Sequence, residues 1–260
     1  MGHNTLGVIP RSVRWRRVVD LLGTDAPDAT VIAATADAAE SSLLRASDDP
    51  VFVEAVRLLL LVPTAARAED FRGALDAAGL AAGDSPELLD LIMAASARLD
   101  AVRRSTIRRT DLGELAGRAL ATSLNQHIGD ALPGLFAATP EDVQLAAKRL
   151  SSARGMSHLA RGFFANITQA TLSYWLERTL ADQEARGGRF GALGSRDAFD
   201  AELRAYTQEA SRIIKEFAGS WYTKTLHDKG GISSQDAARF GAVCLKKISA
   251  ELRLKRSTDA

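Results

Sequence analysis

The chain has 260 residues, with 33 Lys and Arg against 32 Asp and Glu, 46% hydrophobic residues, 6% aromatics and a single cysteine. Its length and apolar content allow a sizeable buried core and exclude wholesale disorder. One Cys cannot build a disulfide framework or a thiol-rich zinc site, which fits a reducing cytoplasm, and a formal charge of +1 excludes polyanion binding by bulk charge alone.

In chain order, Met1-Gly2-His3-Asn4-Thr5-Leu6 has no basic segment leading into an apolar one, and Leu6 stands where a myristoylation signal needs Ser or Thr. Neither secretion nor a lipid anchor is expected, and the location is read as cytoplasmic. Trp15, Val18, Val19 and Leu22 then share one helical face, with Arg16, Arg17 and Asp20 opposite. Capping residues followed by proline, as in Asp49-Pro50, Ser85-Pro86-Glu87 and Thr139-Pro140-Glu141-Asp142, mark helix starts, because Pro at the first helical position loses no needed N–H. The longest apolar run, Leu58 to Val62, is far short of the ~20 residues that span a bilayer and reads as a helix buried on most sides. After Pro86, the residues Leu88, Leu89, Ile92, Leu99 and Val102 recur at helical spacing. No period-2 run with hairpin turns occurs, so no sheet is required.

From 111 onward the pattern predicts helices over about 111–129, 140–152, 157–182, 196–218 and 234–256. Phe199, Leu203, Tyr206, Ala210, Ile213 and Phe217 form a heptad seam; it lasts under three heptads, which suits a helix within a bundle better than a free-standing coiled coil. The last helix places Ala237, Phe240, Cys244, Ile248 and Leu252 on one side. All seven prolines lie at or before 140, and all seven lysines at or after 148. Up to residue 110 there are 13 Arg against 15 acidic residues, and from 111 there are 20 Lys and Arg against 17. Together these patterns predict an all-α fold, with an N-terminal helical domain of short Pro-initiated helices (1–105), an Arg-rich junction (106–110) and a C-terminal bundle of longer helices (111–260).

The residues that carry chemistry are few. His3, His127, His158 and His227 are isolated, without metal-ligand spacing. Cys244 lies on an apolar face, where a thiol is desolvated and inert. The stretch 186–195, with Gly187, Gly188, Gly191 and Gly194 beside Arg186 and Arg189, is either a connection between long helices or an anion site, and it lacks the Lys-Ser/Thr ending of a nucleotide-binding loop. No catalytic residue, metal or cofactor is therefore assigned, and the chain is not expected to be an enzyme.

Basic clusters are the remaining candidates. Arg103, Arg104, Arg108 and Arg109 place four guanidinium groups in seven residues at the junction, where phosphate contact competes with helix capping. Further basic runs surround Trp15 and end the chain. Residues 147–161, from Ala147 through Ser151, Gly155 and Met156 to Arg161, resemble a DNA-reading helix-turn-helix: inward Ala147 and Leu150, a Gly-containing turn, then inward Met156 and Leu159. The connection is one residue shorter than the usual motif and Ser151 replaces its glycine, so an ordinary helical hairpin fits the same residues. The resemblance implies that Arg154, Ser157, His158 and Arg161 face a groove. Trp221 and Tyr222 are either a partner-contact hot spot or a staple holding the last helix, with Trp175 in the same core.

Two functions follow as expectations. The first is a non-catalytic helical adaptor or accessory subunit of a bacterial-type multi-protein complex, docking to a protein partner and able to self-associate, with no membrane contact. The second is an accessory protein binding DNA or RNA through the 147–161 hairpin and the Arg clusters, as in a DNA-processing or defence system.

Overall fold

Short polar side chains start the helices by satisfying backbone N–H groups that the first turn leaves free. The structure, a computed structural model, describes residues 12–106, 111–134, 138–185, 189–190 and 194–258, without the side chains of Trp175, 178–185 and 257–258. Ser12 accepts from the Trp15 N–H to open α1 (Val13–Leu22), and Pro27 precedes α2 (Asp28–Arg45). Asp49 accepts from Val51 and Phe52 N–H at the start of α3 (Pro50–Ala65), and Asp70 caps α4 (Phe71–Ala77). Reciprocal capping boxes open α5 (Leu88–Ser105), through Glu87 and Asp90, and α7 (Pro140–Leu150), through Thr139 and Asp142. Between them α6 (Asp111–Leu124) runs into a π-helical turn, Asn125–Gly129. Then come α8 (Ala153–Ala185), α9 (Ser195–Ala210), α10 (Arg212–Lys229) and α11 (Ser234–Thr258). The described residues contain no strand, so the fold is all-α. None of their helices is long and apolar enough to cross a membrane.

The run Leu58–Val62 lies in α3, with Leu58, Leu59, Leu60 and Val62 fully buried. Two face assignments change. Val19 is 36% exposed and Leu89 64% exposed, because α1 buries only Trp15, Val18 and Leu22, while α5 turns Leu91, Ala94, Ala95 and Leu99 inward. The heptad seam also spans two helices: the chain breaks at Ser211, and α10 continues through Lys229 instead of ending at 218. Its residues Phe199, Leu203, Tyr206 and Ala210 are buried on α9, while Ile213 and Phe217 continue the apolar side on α10.

The 33-residue helix α8 forms the axis, with α10, α6, α9, α2 and α7 packed around it. Phe163 and Phe164 of α8 meet edge to face at 5.1 Å, Phe52 of α3 lies 6.4 Å from each, and Phe240 of α11 lies 6.0 Å from Phe164. One apolar core therefore draws on both sides of the 106–110 segment, and α11 lies against α2 and α3. Proline use changes only after Pro140, and the helices longer than 18 residues, α8 and α11, come later still, so the 106–110 segment lies within a continuous core.

Two features fix this packing. Gly219 of α10 abuts α8 so closely that a Cβ would overlap the Ala153 carbonyl; Gly219 N–H also donates to Ser157 Oγ at 3.1 Å. Glu54 on α3 is 6% exposed and receives Arg57 Nε and Arg98 Nε, each at 2.7 Å, while Arg57 also donates to the Ala78 carbonyl at 3.1 Å, joining α3, α5 and the end of α4. Burial alone would raise the Glu54 pKa, but the two guanidinium groups hold it below the ordinary value. Gly219→Ala is expected to lose about 1–3 kcal/mol by forcing α10 off α8, measured by urea unfolding. Glu54→Ala leaves two adjacent cations unpaired and is expected to lose about 2–3 kcal/mol at neutral pH. Since the folded Glu54 pKa is lowered, that contribution is complete above the ordinary glutamate range and fades as pH falls through the lowered value, so wild type and variant converge in acid.

Candidate functional site

The corner between α7 and α8 is tight because Ser151 and Ser152 alone connect the two helices. Gly155 lies in the first turn of α8, where a Cβ would press against the Arg149 carbonyl and Leu150 Cα, at 2.5 and 2.7 Å. It is a packing glycine inside a helix, where the helix-turn-helix resemblance places it in the turn. Ala147, Leu150, Met156 and Leu159 are buried, as that pattern requires.

The side chains assigned to a groove are arranged differently. Ser157 donates to the Lys215 carbonyl of α10 at 3.1 Å and accepts from Gly219, so its hydroxyl serves the α8–α10 contact. Arg161 donates to the Gln208 carbonyl at the end of α9, at 3.1 Å. His158 is half-buried, within electrostatic reach of Lys215, Arg154, Arg161 and His127. Of the four, Arg154 alone is exposed. The helix that would enter the groove is the central helix of the bundle, and α10 covers its face.

The other candidates separate in the same way. Arg103 pairs with Asp100 at 3.3 Å, Arg104 is exposed, and Arg108 and Arg109 lie outside the described residues. In the terminal clusters, Arg14, Arg253 and Arg256 pair with Asp37 and Glu40 of α2. Lys247 lies over the Phe217 ring and Lys255 over Tyr206, each at 5.2 Å. Within 186–195, residues 186–188 and 191–193 lie outside the described residues, while Arg189 binds Asp28 and Phe190 packs on Phe199 at 5.4 Å. Tyr222 is fully buried with its hydroxyl 2.8 Å from Thr64 Oγ1, and Trp221 stacks on Phe240 at 4.4 Å and 24°. Of the two readings of this pair, these contacts are those of a staple, with Tyr222 in the core and Trp221 half-buried against it; the Trp175 side chain lies outside the described residues. Cys244 is buried, and desolvation pushes its thiol pKa well up. Among the described residues no group of three or more His, Cys, Asp or Glu side chains is placed to hold a metal ion.

What the fold assembles instead is a cleft of about 510 Å³ between the end of α3, the α7–α8 corner and the last turns of α10. Arg67, Lys148, Arg149 and His227 line it, with the Ser151, Ser152 and Thr223 hydroxyls between them and no carboxylate in its wall. All four basic side chains are exposed, and none is in an ion pair or side-chain hydrogen bond among the described residues. Arg154 adjoins this corner in the first turn of α8. Lys148 and Arg149 fall within the 147–161 pattern, but Arg67 and His227 come from distant segments and no local motif connects them; the only sequence trace of Arg67 is a lone basic residue just past an apolar helix.

Electrostatics beside the cleft carry the same sign. The His158 pKa is lowered by desolvation and then by the charges of Lys215, Arg154 and Arg161. The His127 pKa is lowered by desolvation and by His158, against a smaller opposing effect of Asp130. His127 projects from the π-helical turn against Gly162, where a Cβ would lie 2.6 Å from its Nε2. Comparison of the chain with family models, characterised proteins and solved structures yields no match.

A histidine whose pKa is lowered in the fold contributes stability that is complete above its unfolded value of 6.5 and is lost as pH falls through the folded value. Unfolding midpoints in urea are therefore expected to drop between pH 7.5 and about 5, and the drop should be smaller in His127→Asn. Equal slopes in wild type and variant would remove His127 from this account.

Proposed function

We propose that the chain is a non-catalytic helical accessory protein that acts by binding, and that its partner is nucleic acid held by its phosphate backbone at the α7–α8 corner. One observation carries this reading: unpaired exposed cations from separate parts of the chain, Arg67, Lys148 and Arg149, gather in one cleft with Arg154 beside it, while Arg14, Arg253 and Arg256 of the terminal clusters are engaged with Asp37 and Glu40. A protein-docking adaptor has less behind it, because of the two aromatic side chains that favoured it Tyr222 is buried in the core and the half-buried Trp221 is stacked on Phe240. The contact mode differs from groove reading. A corner presenting Lys and Arg, without a free recognition helix, positions phosphates and carries little base information.

Affinity for a short duplex of arbitrary sequence should then be electrostatic. Neutralising about four phosphates gives a loss of roughly a hundredfold between ~50 and ~200 mM salt. Arg149→Glu with Arg154→Glu should abolish the gel shift at low salt while leaving the thermal melt near wild type, since both side chains are exposed and unpaired. Retention of a protein partner independent of salt, with no duplex shift even at low salt, would overturn the reading in favour of an adaptor.

A further inference from the structure

Beyond a basic surface for a backbone, the cleft is open but brings basic side chains from three segments of the chain around one space, and we propose that it binds a terminal phosphate, the dianionic phosphomonoester of a nucleotide or of a 5′-phosphorylated strand. The inference deepens the phosphate-binding reading above. Three fixed cations, Arg67, Lys148 and Arg149, come from the segments after α3 and at the end of α7, and His227 closes the α10 side. With no carboxylate lining it, the cleft holds an excess of positive charge that a dianion matches better than a single diester. Its volume of about 510 Å³ lies within the ~300–1,000 Å³ of small-molecule sites. The Arg67 charge also reaches the Tyr222 hydroxyl of α10, which puts the guanidinium at the α3–α10 seam.

The lining further decides what is recognised. Leu226 is its only apolar side chain, and no Phe, Tyr or Trp ring contributes to it. The His227 imidazole is the one ring a base meets there, so recognition rests chiefly on the phosphate. Arginine offers paired N–H donors to phosphate oxygens and lysine a point charge. The N-terminus of α8, whose preceding Ser152 lines the cleft, adds the positive end of a 33-residue helix to the same place.

The test is titration of the full chain with inorganic phosphate, 5′-AMP and adenosine, followed by amide chemical shifts. Saturable shifts at Ser151, Ser152, Thr223 and His227 are expected with phosphate and 5′-AMP, and none with adenosine. Arg67→Ala with Arg149→Ala should weaken binding about tenfold or more, whereas Lys246→Ala, an exposed unpaired cation on α11, should not. Absence of saturable binding of both phosphate and 5′-AMP overturns the proposal, as does equal weakening in Lys246→Ala, which would mean diffuse charge. Two further arms identify the source, and either positive result supports the pocket. Tighter binding of a 5′-phosphorylated strand than of its 5′-hydroxyl twin assigns the strand end; binding of 5′-AMP with no duplex or strand affinity assigns a free nucleotide and removes the nucleic-acid reading while the pocket stands. A duplex shift that persists without phosphate or 5′-AMP binding does the reverse.

Discussion

The close approach of α10 to the N-terminal part of α8 is the contact on which the rest of this structure depends. Gly219 has no side chain to hold the helices apart, and the Ser157 hydroxyl fills the seam by accepting from Gly219 N–H and donating to the Lys215 carbonyl. With α10 set at that height, Tyr222 reaches Thr64 on α3 and Trp221 reaches Phe240 on α11. The last turns of α10 then come level with the α7–α8 corner, which is the only reason His227 and Thr223 share a cleft with Lys148 and Arg149. A packing constraint in the core thus sets the geometry of a polar surface feature.

Stability and surface charge are separate matters here. The cohesion comes from apolar burial along α8 and from the phenylalanine cluster that joins α3, α8 and α11. The ion pairs of Arg14, Arg253 and Arg256 with α2 are partly exposed, and such pairs contribute little individually. Their effect is on what the surface offers a partner, since a paired guanidinium no longer projects a full charge. The buried triad around Glu54 differs, because its carboxylate is withdrawn from water and each of its two cations is within hydrogen-bond distance.

Helix content and most helix starts were legible in the sequence because they rest on local rules: a capping side chain, a proline at the first position, an apolar stripe. The break at Ser211 was hidden because the heptad spacing from Phe199 to Phe217 runs through it without a Gly or Pro to mark it. Leu89 looked interior by spacing, yet α5 uses a narrower stripe built on Ala94 and Ala95, and exposes Leu89. For the site, clusters of Arg along the sequence were poor guides. Pairing depends on where Asp37 and Glu40 lie, and those belong to α2, more than 200 residues along the chain from the Arg253 and Arg256 they neutralise. Arg67 and His227 carried no signal because their importance is created by tertiary proximity to the α7–α8 corner.

The sign of the field at that corner follows from how its helix ends are capped. The end of α7 would by itself place unsatisfied carbonyls, and so partial negative charge, beside Lys148 and Arg149. Ser151 Oγ donates to the Lys148 carbonyl at 2.7 Å and Ser152 Oγ to the Arg149 carbonyl at 2.9 Å, which blunts that end. The same Ser152 oxygen accepts from the Gly155 N–H at 3.0 Å, holding the start of α8 in place. One two-residue connection therefore mutes the negative pole of one helix and anchors the positive pole of the next. The cations around it then act on a background already biased toward an anion, and because they are exposed to water their attraction remains subject to ionic strength.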